Sequence, residues 1–285
     1  NARVYDIGGA FLTCEMTGED IVIEVDPILS AIISKKLPHL VPYLSNNGKI
    51  YCTLDKALYG LVQSAKLWYD KLIGVLESMG YVRNPVDPCV LNKTVSSVQC
   101  TLLIHVDDIL ALSVSNDMLD DLEAGLIKAF DEVKIKVAVK GEKLSYLGME
   151  LCFDDLRITI TMGGYVEVML KEFGEVKCYN SPAVGNVFEI NEKSPVLEAA
   201  ALKVFHTNVA KLLYYTMRVK VAISTVVSFL CTRVTCATEQ DMWKLRRVMG
   251  YVKYTGNTGI VLLGTGDLVV RGFVDAAFGS HADGK

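Results

Sequence analysis

The stretch TLLIHVDDILAL, residues 101–112, places two adjacent carboxylates, Asp107 and Asp108, between two short aliphatic runs. This pattern is typical of a β-hairpin with strands Thr101–Val106 and Ile109–Val114 and with both Asp residues at its turn. Adjacent carboxylates repel each other, and partial burial raises the pKa of one of them unless a cation is near. The stretch therefore has two interpretations, a polar hairpin turn or a site for a divalent cation, which prefers oxygen ligands.

Composition limits the class of protein. The chain has 285 residues, of which 51% are hydrophobic, so a sizeable core is expected. Its eight Cys form no CxxC pair, which argues against a structural zinc site and a disulfide framework and favours a reducing, intracellular setting. The longest apolar candidate, residues 221–231, is too short for a bilayer and predicts a buried helix. The chain opens on Asn1 without Met, so we expect a piece of a longer protein.

The charge balance argues against a nucleic-acid partner, because the net charge is −4 and such partners are usually met by excess Lys and Arg. Two runs, residues 134–143 and 244–253, are nevertheless locally basic. Each run is interpreted either as an ordinary solvated face or as part of a basic surface on a chain whose net charge is negative.

Periodicity predicts two amphipathic helices around the opening hairpin. The first runs from Ser64 to Met79, with Gly80 following as a helix-ending residue. The second is predicted to be capped by Asn116. The apolar stripe of the first helix is Ala65, Trp68, Leu72, Leu76 and Met79, and that of the second is Leu119, Leu122, Leu126 and Phe130.

Strands are predicted elsewhere by apolar alternation and β-branched residues, at 20–25, 49–54, 134–139, 146–153 and 157–162. A short helix is predicted at 166–173, a linker at 176–200 and three helical pieces from 200 to 254. The final stretch, 259–278, predicts a strand, a Gly-rich turn and a second strand. Strands and helices that mix without strict βαβ alternation predict an α+β first domain.

A further carboxylate, Asp6, lies in VYDIGGAFL (residues 4–12) and precedes two Gly that leave space beside it. If its strand lies beside the hairpin, three carboxylates converge. Such a cluster is repulsive without metal, and with two Mg²⁺ about 4 Å apart it is the arrangement used in phosphoryl transfer.

Five blocks carry a resemblance to a known family: YDIGGAFL, KALYGLVQSAKLWYDKL, DPCV, LLIHVDDILAL and YLGMEL. In order and spacing they resemble reverse transcriptases of copia-type LTR retrotransposons. The later stretches AKLLYYTMRVKVAISTVVSFL, WKLRRVMGYVKYT and VDAAFGSHADGK are similar to the connection of that polyprotein and to the start of its ribonuclease H. The resemblance spans nearly the whole chain.

The resemblance implies a right-hand polymerase palm, in which an antiparallel sheet packs on helices, followed by a helical connection and the first hairpin of an RNase H-like domain. The palm and the start of the thumb would occupy 1–175, the linker 176–200, the helical thumb or connection region 201–256 and the truncated RNase H-like domain 257–285. The fingers would precede Asn1.

The resemblance also implies roles for single residues. Asp6, Asp107 and Asp108 match the metal-binding and catalytic carboxylates, of which Asp107 would be a direct ligand and Asp108 a support. Phe11 matches an aromatic that screens the 2′ position of the sugar, although on the sequence alone an ordinary core Phe is as good an interpretation. Gln63 lies in the block that contacts the nucleotide, while Tyr59, Trp68 and Tyr69 are interpreted as packing residues.

The chain departs from the family pattern at several positions. His105 stands where the family usually has Tyr, and RVKVAI at 218–223 replaces an Arg-Pro-Asp-like sequence. Of the ribonuclease H carboxylates only Asp275 is expected, so ribonuclease activity is not expected from this chain. With the fingers upstream, weak or no polymerase activity is expected from the chain alone.

Two functions follow as expectations. The first is an RNA-directed DNA polymerase that uses two Mg²⁺ ions, with Mn²⁺ as a substitute, and takes an RNA template, a DNA primer and deoxynucleoside triphosphates. It would act with the rest of its polyprotein, without a membrane, in cytoplasmic virus-like particles or in the nucleus. The second is a decayed or domesticated remnant that binds nucleic acid or protein without catalysis.

Overall fold

A computed structural model of the chain describes residues 1–18, 20–185, 187–264 and 274. The chain divides into two compact units, Asn1–Val137 and Ala138–Lys285. Both contain antiparallel sheets and α-helices, in agreement with the mixed class predicted from the sequence. Among the residues described, no helix is both long and apolar enough to cross a bilayer.

The first unit is built on a large antiparallel sheet. The strands of the first unit are β1 (Ala2–Ile7), β2 (Val22–Val25), β3 (Ile50–Thr53), β4 (Val82–Arg83), β5 (Val90–Val95), β6 (Val98–His105), β7 (Asp108–Ser113) and β8 (Val133–Val137). Its helices are α1 (Pro27–Lys36), α2 (Val62–Ser78) and α3 (Asn116–Ala129), with 3₁₀ turns at Ala10–Thr13 and Pro38–Tyr43. The sheet order is β4-β5-β6-β7-β1-β8, and β2 pairs with β3 separately. Strand β1 is therefore held between β7 and β8.

One face of the large sheet packs against α2 and α3. Alternation along β1 turns Tyr5 and Ile7 into this core, where both are fully buried. The Tyr5 hydroxyl donates to the carbonyl of Leu119 on α3 (3.2 Å), and the Arg3 guanidinium on the same face bonds two α3 carboxylates. The residues between them on β1, Val4 and Asp6, consequently point to the opposite face.

The hairpin predicted at 101–114 is present as β6 and β7, but its turn consists of Val106 and Asp107. The prediction that both Asp residues occupy the turn is therefore wrong for Asp108, which begins β7. The reason is the backbone of Val106, whose φ of 57° closes the turn one residue early. A β-branched residue rarely adopts this conformation, so the sequence gives no sign of it.

Helix α2 confirms the helix predicted over 64–79, and Gly80 follows it with φ 86°. Trp68, Leu72 and Leu76 are buried as predicted, whereas Ala65 is exposed. Ser64 occupies the buried position instead, because its hydroxyl donates to the carbonyl of Leu58 (2.6 Å) and leaves no unsatisfied polar group.

Helix α3 buries its predicted stripe, Leu119, Leu122, Leu126 and Phe130. Its predicted cap is wrong by one residue. Ser115 has the extended backbone of an N-cap position (φ −96°, ψ 128°), and Asn116 is the first helical residue. No side-chain hydrogen bond caps this end.

The second unit combines a smaller antiparallel sheet with a helical cluster. Its strands are β9 (Lys143–Tyr146), β10 (Met149–Asp154), β11 (Arg157–Thr161) and β12 (Ile260–Leu263), in the order β12-β11-β10-β9. Its helices are α4 (Gly163–Phe173), α5 (Ala199–Thr216), α6 (Ser224–Cys231) and α7 (Glu239–Thr255), with a 3₁₀ turn at Val221–Ile223. Side chains of α4, α5, α6 and α7 form its core.

The three helical pieces predicted between 200 and 254 are confirmed by α5, α6 and α7. The strand predicted at 146–153 is divided instead, because Leu147 and Gly148 both take positive φ and turn the chain between β9 and β10. The described residues between α4 and α5, 174–185 and 187–198, contain no helix or strand, whereas the predicted linker, 176–200, extends two residues into α5. Strand β12 confirms the first strand predicted in the final segment and pairs with β11, while the predicted second strand and Asp275 lie outside the described residues.

The altered loop at 218–223 is used for packing. The Arg218 guanidinium lies over the Tyr214 ring at 3.6 Å. Lys220 is buried, its ammonium bonds the hydroxyl of Thr258, and burial lowers its pKa. The residues that depart from the family pattern thus have structural contacts within the second unit.

Gly250→Ala is expected to destabilise the second unit by about 1–3 kcal/mol, the cost of overpacking. A Cβ at Gly250 in α7 would lie 2.1 Å from the carbonyl oxygen of Lys177 and 2.6 Å from the Tyr179 ring. Gly74→Ala in α2 is the matched control, since nothing lies within 4 Å of its Cβ position. The control should gain about 0.5–1 kcal/mol from helix propensity. Equal gains from both substitutions in urea unfolding would contradict this packing.

Candidate functional site

The hairpin and β1 bring two carboxylates into register. Asp6 on β1 is the cross-strand partner of Asp108 on β7. The backbone N–H of Ile7 donates to the carbonyl of Asp107 (3.1 Å). This hydrogen bond holds the turn next to the end of β1, where Asp6 lies. Because directly opposed residues share a face of the sheet, Asp6 and Asp108 both project away from the helix-covered face. The strand arrangement required for the predicted carboxylate cluster is therefore present.

The charges of Asp107 and Asp6 act on the carboxyl group of Asp108. The pKa of Asp108 is raised, first by burial and then by the negative charges of Asp107 and Asp6. His105 and Lys136 act on the pKa of Asp108 in the opposite direction. The surroundings of Asp108 thus disfavour its ionised form, and pKa shifts of this kind are common at functional sites.

Strand β8 adds residues that the sequence interpretation did not assign to the site. Lys134 is the cross-strand partner of Asp6, and its pKa is raised mainly by Glu132, with a smaller contribution from Asp6. The Glu132 carboxylate lies 3.2 Å from the Lys134 ammonium and fills the space beside Gly8. The alternation of Lys and Ile in the run KIK (residues 134–136) predicts a strand with both Lys on one face. The pairing of that strand with β1 is a long-range contact, which a single sequence does not predict.

Metal binding can be judged by the side chains present. Asp6, Asp107 and Asp108 offer the carboxylate oxygens that a hard divalent cation prefers, and their mutual repulsion is the kind that such a cation relieves. Over the described ranges, however, no three His, Cys, Asp or Glu side chains are gathered closely enough to hold a metal ion. The donor chemistry therefore fits a hard divalent cation, although no preformed metal site is present among the described residues.

Phe11 lies in the 3₁₀ turn that follows Asp6, after Gly9 with its φ of 60°. Its ring is half-buried and lies 4.5 Å from the ring of Tyr59. Phe11 is thus neither enclosed by the core nor isolated on the surface. Tyr59, predicted to pack on the helix, is 61% exposed and packs on the Phe11 ring instead. Gln63 lies in the exposed first turn of α2.

The two basic runs carry fewer available charges than their sequences suggest. In the second, Lys244 is buried and donates to the carbonyl of Glu189 (2.6 Å), and Lys253 donates to Val176 (3.1 Å). In the first, Lys140 and Lys143 form ion pairs with carboxylates of β10 and the following turn. These contacts argue against a basic surface formed by these four Lys, and burial of Lys244 means that the second run is not simply a solvated face.

Asp108→Asn is expected to raise the thermal midpoint at neutral pH. The folded-state pKa of Asp108 lies above its ordinary value of 3.8, so folding opposes its ionisation. This destabilisation is absent below the ordinary pKa and complete above the raised one. The gain should therefore be seen near pH 7 and vanish near pH 3 in calorimetry. Asp117→Asn, at an exposed position of α3, is the control, and a gain that is equal at both pH values would contradict the assignment.

Comparison with known proteins identifies the family. The profile of the reverse transcriptase (RNA-dependent DNA polymerase) family matches residues 5–184. The chain is 25% identical, over 82% of its length, to the retrovirus-related Pol polyprotein from transposon TNT 1-94 of Nicotiana tabacum. It is also 25% identical, over 99% of its length, to that from transposon RE1 of Arabidopsis thaliana. It spans only 18% of each relative. The match covers most of the chain and confirms the predicted resemblance: this chain belongs to the reverse transcriptase family of copia-type retrotransposons.

Proposed function

We propose that the chain is the polymerase portion of a retrotransposon Pol polyprotein and joins deoxynucleotides to a primer 3′-hydroxyl on an RNA template. The observation that supports this function best is the pairing of Asp6 with Asp108 beside the turn that carries Asp107. In this proposal Asp6 and Asp107 hold the divalent ions, and Asp108 supports them.

The protein residues have separate tasks in this reaction. Bound Mg²⁺ would supply stabilisation of the charge that spreads over the transferred phosphoryl group. Asp6 on β1 and Asp107 in the β6–β7 turn would hold the ions through their carboxylate oxygens. Asp108, whose pKa is raised, keeps a third negative charge beside them. Lys134 and Lys136 on β8 limit the repulsion among these carboxylates when no ion is bound.

Substrate selection is assigned to Phe11 and Gln63. Phe11 follows Asp6 by one short turn, and its contact with Tyr59 supports the ring from one side. This position suits a side chain that screens the 2′ position of the incoming sugar. Gln63, exposed in the first turn of α2, is proposed to contact the nucleotide.

The domain assignment is likewise a proposal. Residues 1–175 would form the palm and the start of the thumb, 176–200 the linker, 201–256 the helical connection and 257–285 the start of an RNase H-like domain with Asp275. The antiparallel sheet that packs on α2 and α3 supports a palm for the first unit. Sequence similarity to Pol polyproteins that are much longer than this chain supports partners elsewhere in the same polyprotein.

A non-catalytic remnant is the second candidate. Two observations favour it: no metal-ligating group of three is gathered over the described residues, and several Lys of the basic runs are engaged by protein oxygens. Primer extension with an annealed RNA template, DNA primer and Mg²⁺ separates the two functions. Template-dependent extension supports the polymerase, whereas template binding without extension, in a segment long enough to include the neighbouring polyprotein sequence, supports the remnant.

A further inference from the structure

Helix α2 connects the core to three loops of the first unit. Trp68 donates its indole N–H to the carbonyl of Val106 (2.6 Å), the Tyr69 hydroxyl donates to Pro88 (2.9 Å), and the Lys71 ammonium donates to Thr13 (2.5 Å). The acceptors are backbone carbonyls in every case. Only the first of these loops carries Asp107.

Trp68 is suited to hold its loop rigidly. The side chain is 1% exposed, and its ring packs 5.3 Å from that of Phe130 at the end of α3. The indole has a single N–H donor, so its direction is set once the ring is packed. Val106, by contrast, is 45% exposed and has little packing of its own. The buried indole of Trp68 therefore holds the carbonyl of Val106, while the N–H of Ile7 holds the next carbonyl, that of Asp107.

The bond acts where the backbone is strained. Val106 has φ 57°, a conformation that β-branched residues avoid, so the turn needs support from its surroundings. Its carbonyl belongs to the peptide that leads directly into Asp107. A donor fixed on that carbonyl sets the orientation of the peptide and hence the direction in which the Asp107 side chain leaves the turn.

We propose that Trp68 is a positioning residue for Asp107, acting through the carbonyl of Val106. The inference rests on the proposed function, in which Asp107 is a metal ligand. Partners that orient a ligand without touching the metal commonly change metal affinity by about 10- to 100-fold when they are replaced. We expect an effect of this size from the loss of the indole N–H.

The test is Mn²⁺ titration of the purified chain, followed by electron paramagnetic resonance. Trp68→Phe keeps an aromatic ring against Phe130 and removes the donor. Tyr69→Phe is the matched control, because it removes one donor from the same helix to a different loop. Trp68→Phe should raise the Mn²⁺ dissociation constant by about 10-fold or more, while Tyr69→Phe leaves it unchanged. Equal affinities for Trp68→Phe and wild type would overturn the inference.

A second measurement does not depend on a variant of Trp68. The chain has two Trp, and Trp243 is 47% exposed, so the wild type should give one slowly and one rapidly exchanging indole N–H signal in NMR. Mg²⁺ should shift the slow signal, and Asp107→Asn should remove that shift. Rapid exchange of both signals, or a slow signal insensitive to Mg²⁺, contradicts the positioning role. Failure of the wild type to bind Mn²⁺ at all would instead overturn the proposed function, and the positioning role with it.

Discussion

Asp107→Asn is expected to lower RNA-templated primer extension by about 10³-fold, the upper range for the loss of one well-placed electrostatic group. The amide keeps the size of the side chain but removes the charge that would hold a divalent ion at the hairpin tip. The assay uses a Pol segment that includes residues 1–285, since the relatives are much longer than this chain. The rate is measured with Mg²⁺ and with Mn²⁺.

Asp117→Asn provides the control for this assay. Asp117 is an exposed carboxylate in the first turn of α3, so its replacement removes an equal charge without altering the hairpin. We expect extension within about two-fold of wild type, because surface substitutions of this kind usually have small effects. Extension that survives Asp107→Asn at the level of the control would refute the assignment of Asp107 as a metal ligand.

Leu122→Ala is expected to destabilise the chain by about 2–5 kcal/mol, the range for truncating a buried Leu. Leu122 is fully buried on α3, in the same core as the inward-facing side chains of β1. The expected loss is large beside the 5–15 kcal/mol that stabilises a typical domain. The free energy of unfolding is measured in urea by circular dichroism.

Ile127→Ala is the matched control on the same helix. Ile127 is 55% exposed, so truncation removes few contacts, and Ala favours the helix slightly. The control should change the free energy of unfolding by less than about 0.5 kcal/mol. Similar losses at the two positions would mean that α3 does not present the predicted face to the core.

The elements that the sequence predicts well are those with a local signal. Helices α2 and α3 show apolar residues every three or four positions, and the resulting stripe from Leu119 to Phe130 is buried. The hairpin at 101–114 was likewise readable from two aliphatic runs around two Asp. In these segments local periodicity and tertiary packing agree.

The errors come from backbone conformations and long-range pairing. Val106 and Leu147 adopt positive φ, which no propensity assigns to such residues. The first ends β6 one residue earlier than predicted, and the second divides a predicted strand into β9 and β10. Placement of Asp108 on the strand, opposite Asp6, follows from the first of these turns.

Other site features depend on residues that are distant in sequence. The approach of Lys134 to Asp6 depends on β8 joining β1, across more than a hundred residues. Trp68 was correctly predicted to pack within its helix, but the acceptor of its N–H is a carbonyl 38 positions away. Side-chain spacing can predict which residues are buried, whereas hydrogen-bond partners of this kind follow only from the assembled sheet.

A crystal structure of the chain grown with Mn²⁺, with the ion located by anomalous scattering, tests the central claim most directly. We predict an anomalous peak bound by carboxylate oxygens of Asp6 and Asp107 at about 2.1 Å, with those two carboxylates within roughly 3–6 Å of each other. Carboxylates of Asp6 and Asp107 on opposite faces of the sheet, or Mn²⁺ bound only elsewhere, would contradict a reverse transcriptase active site at this hairpin.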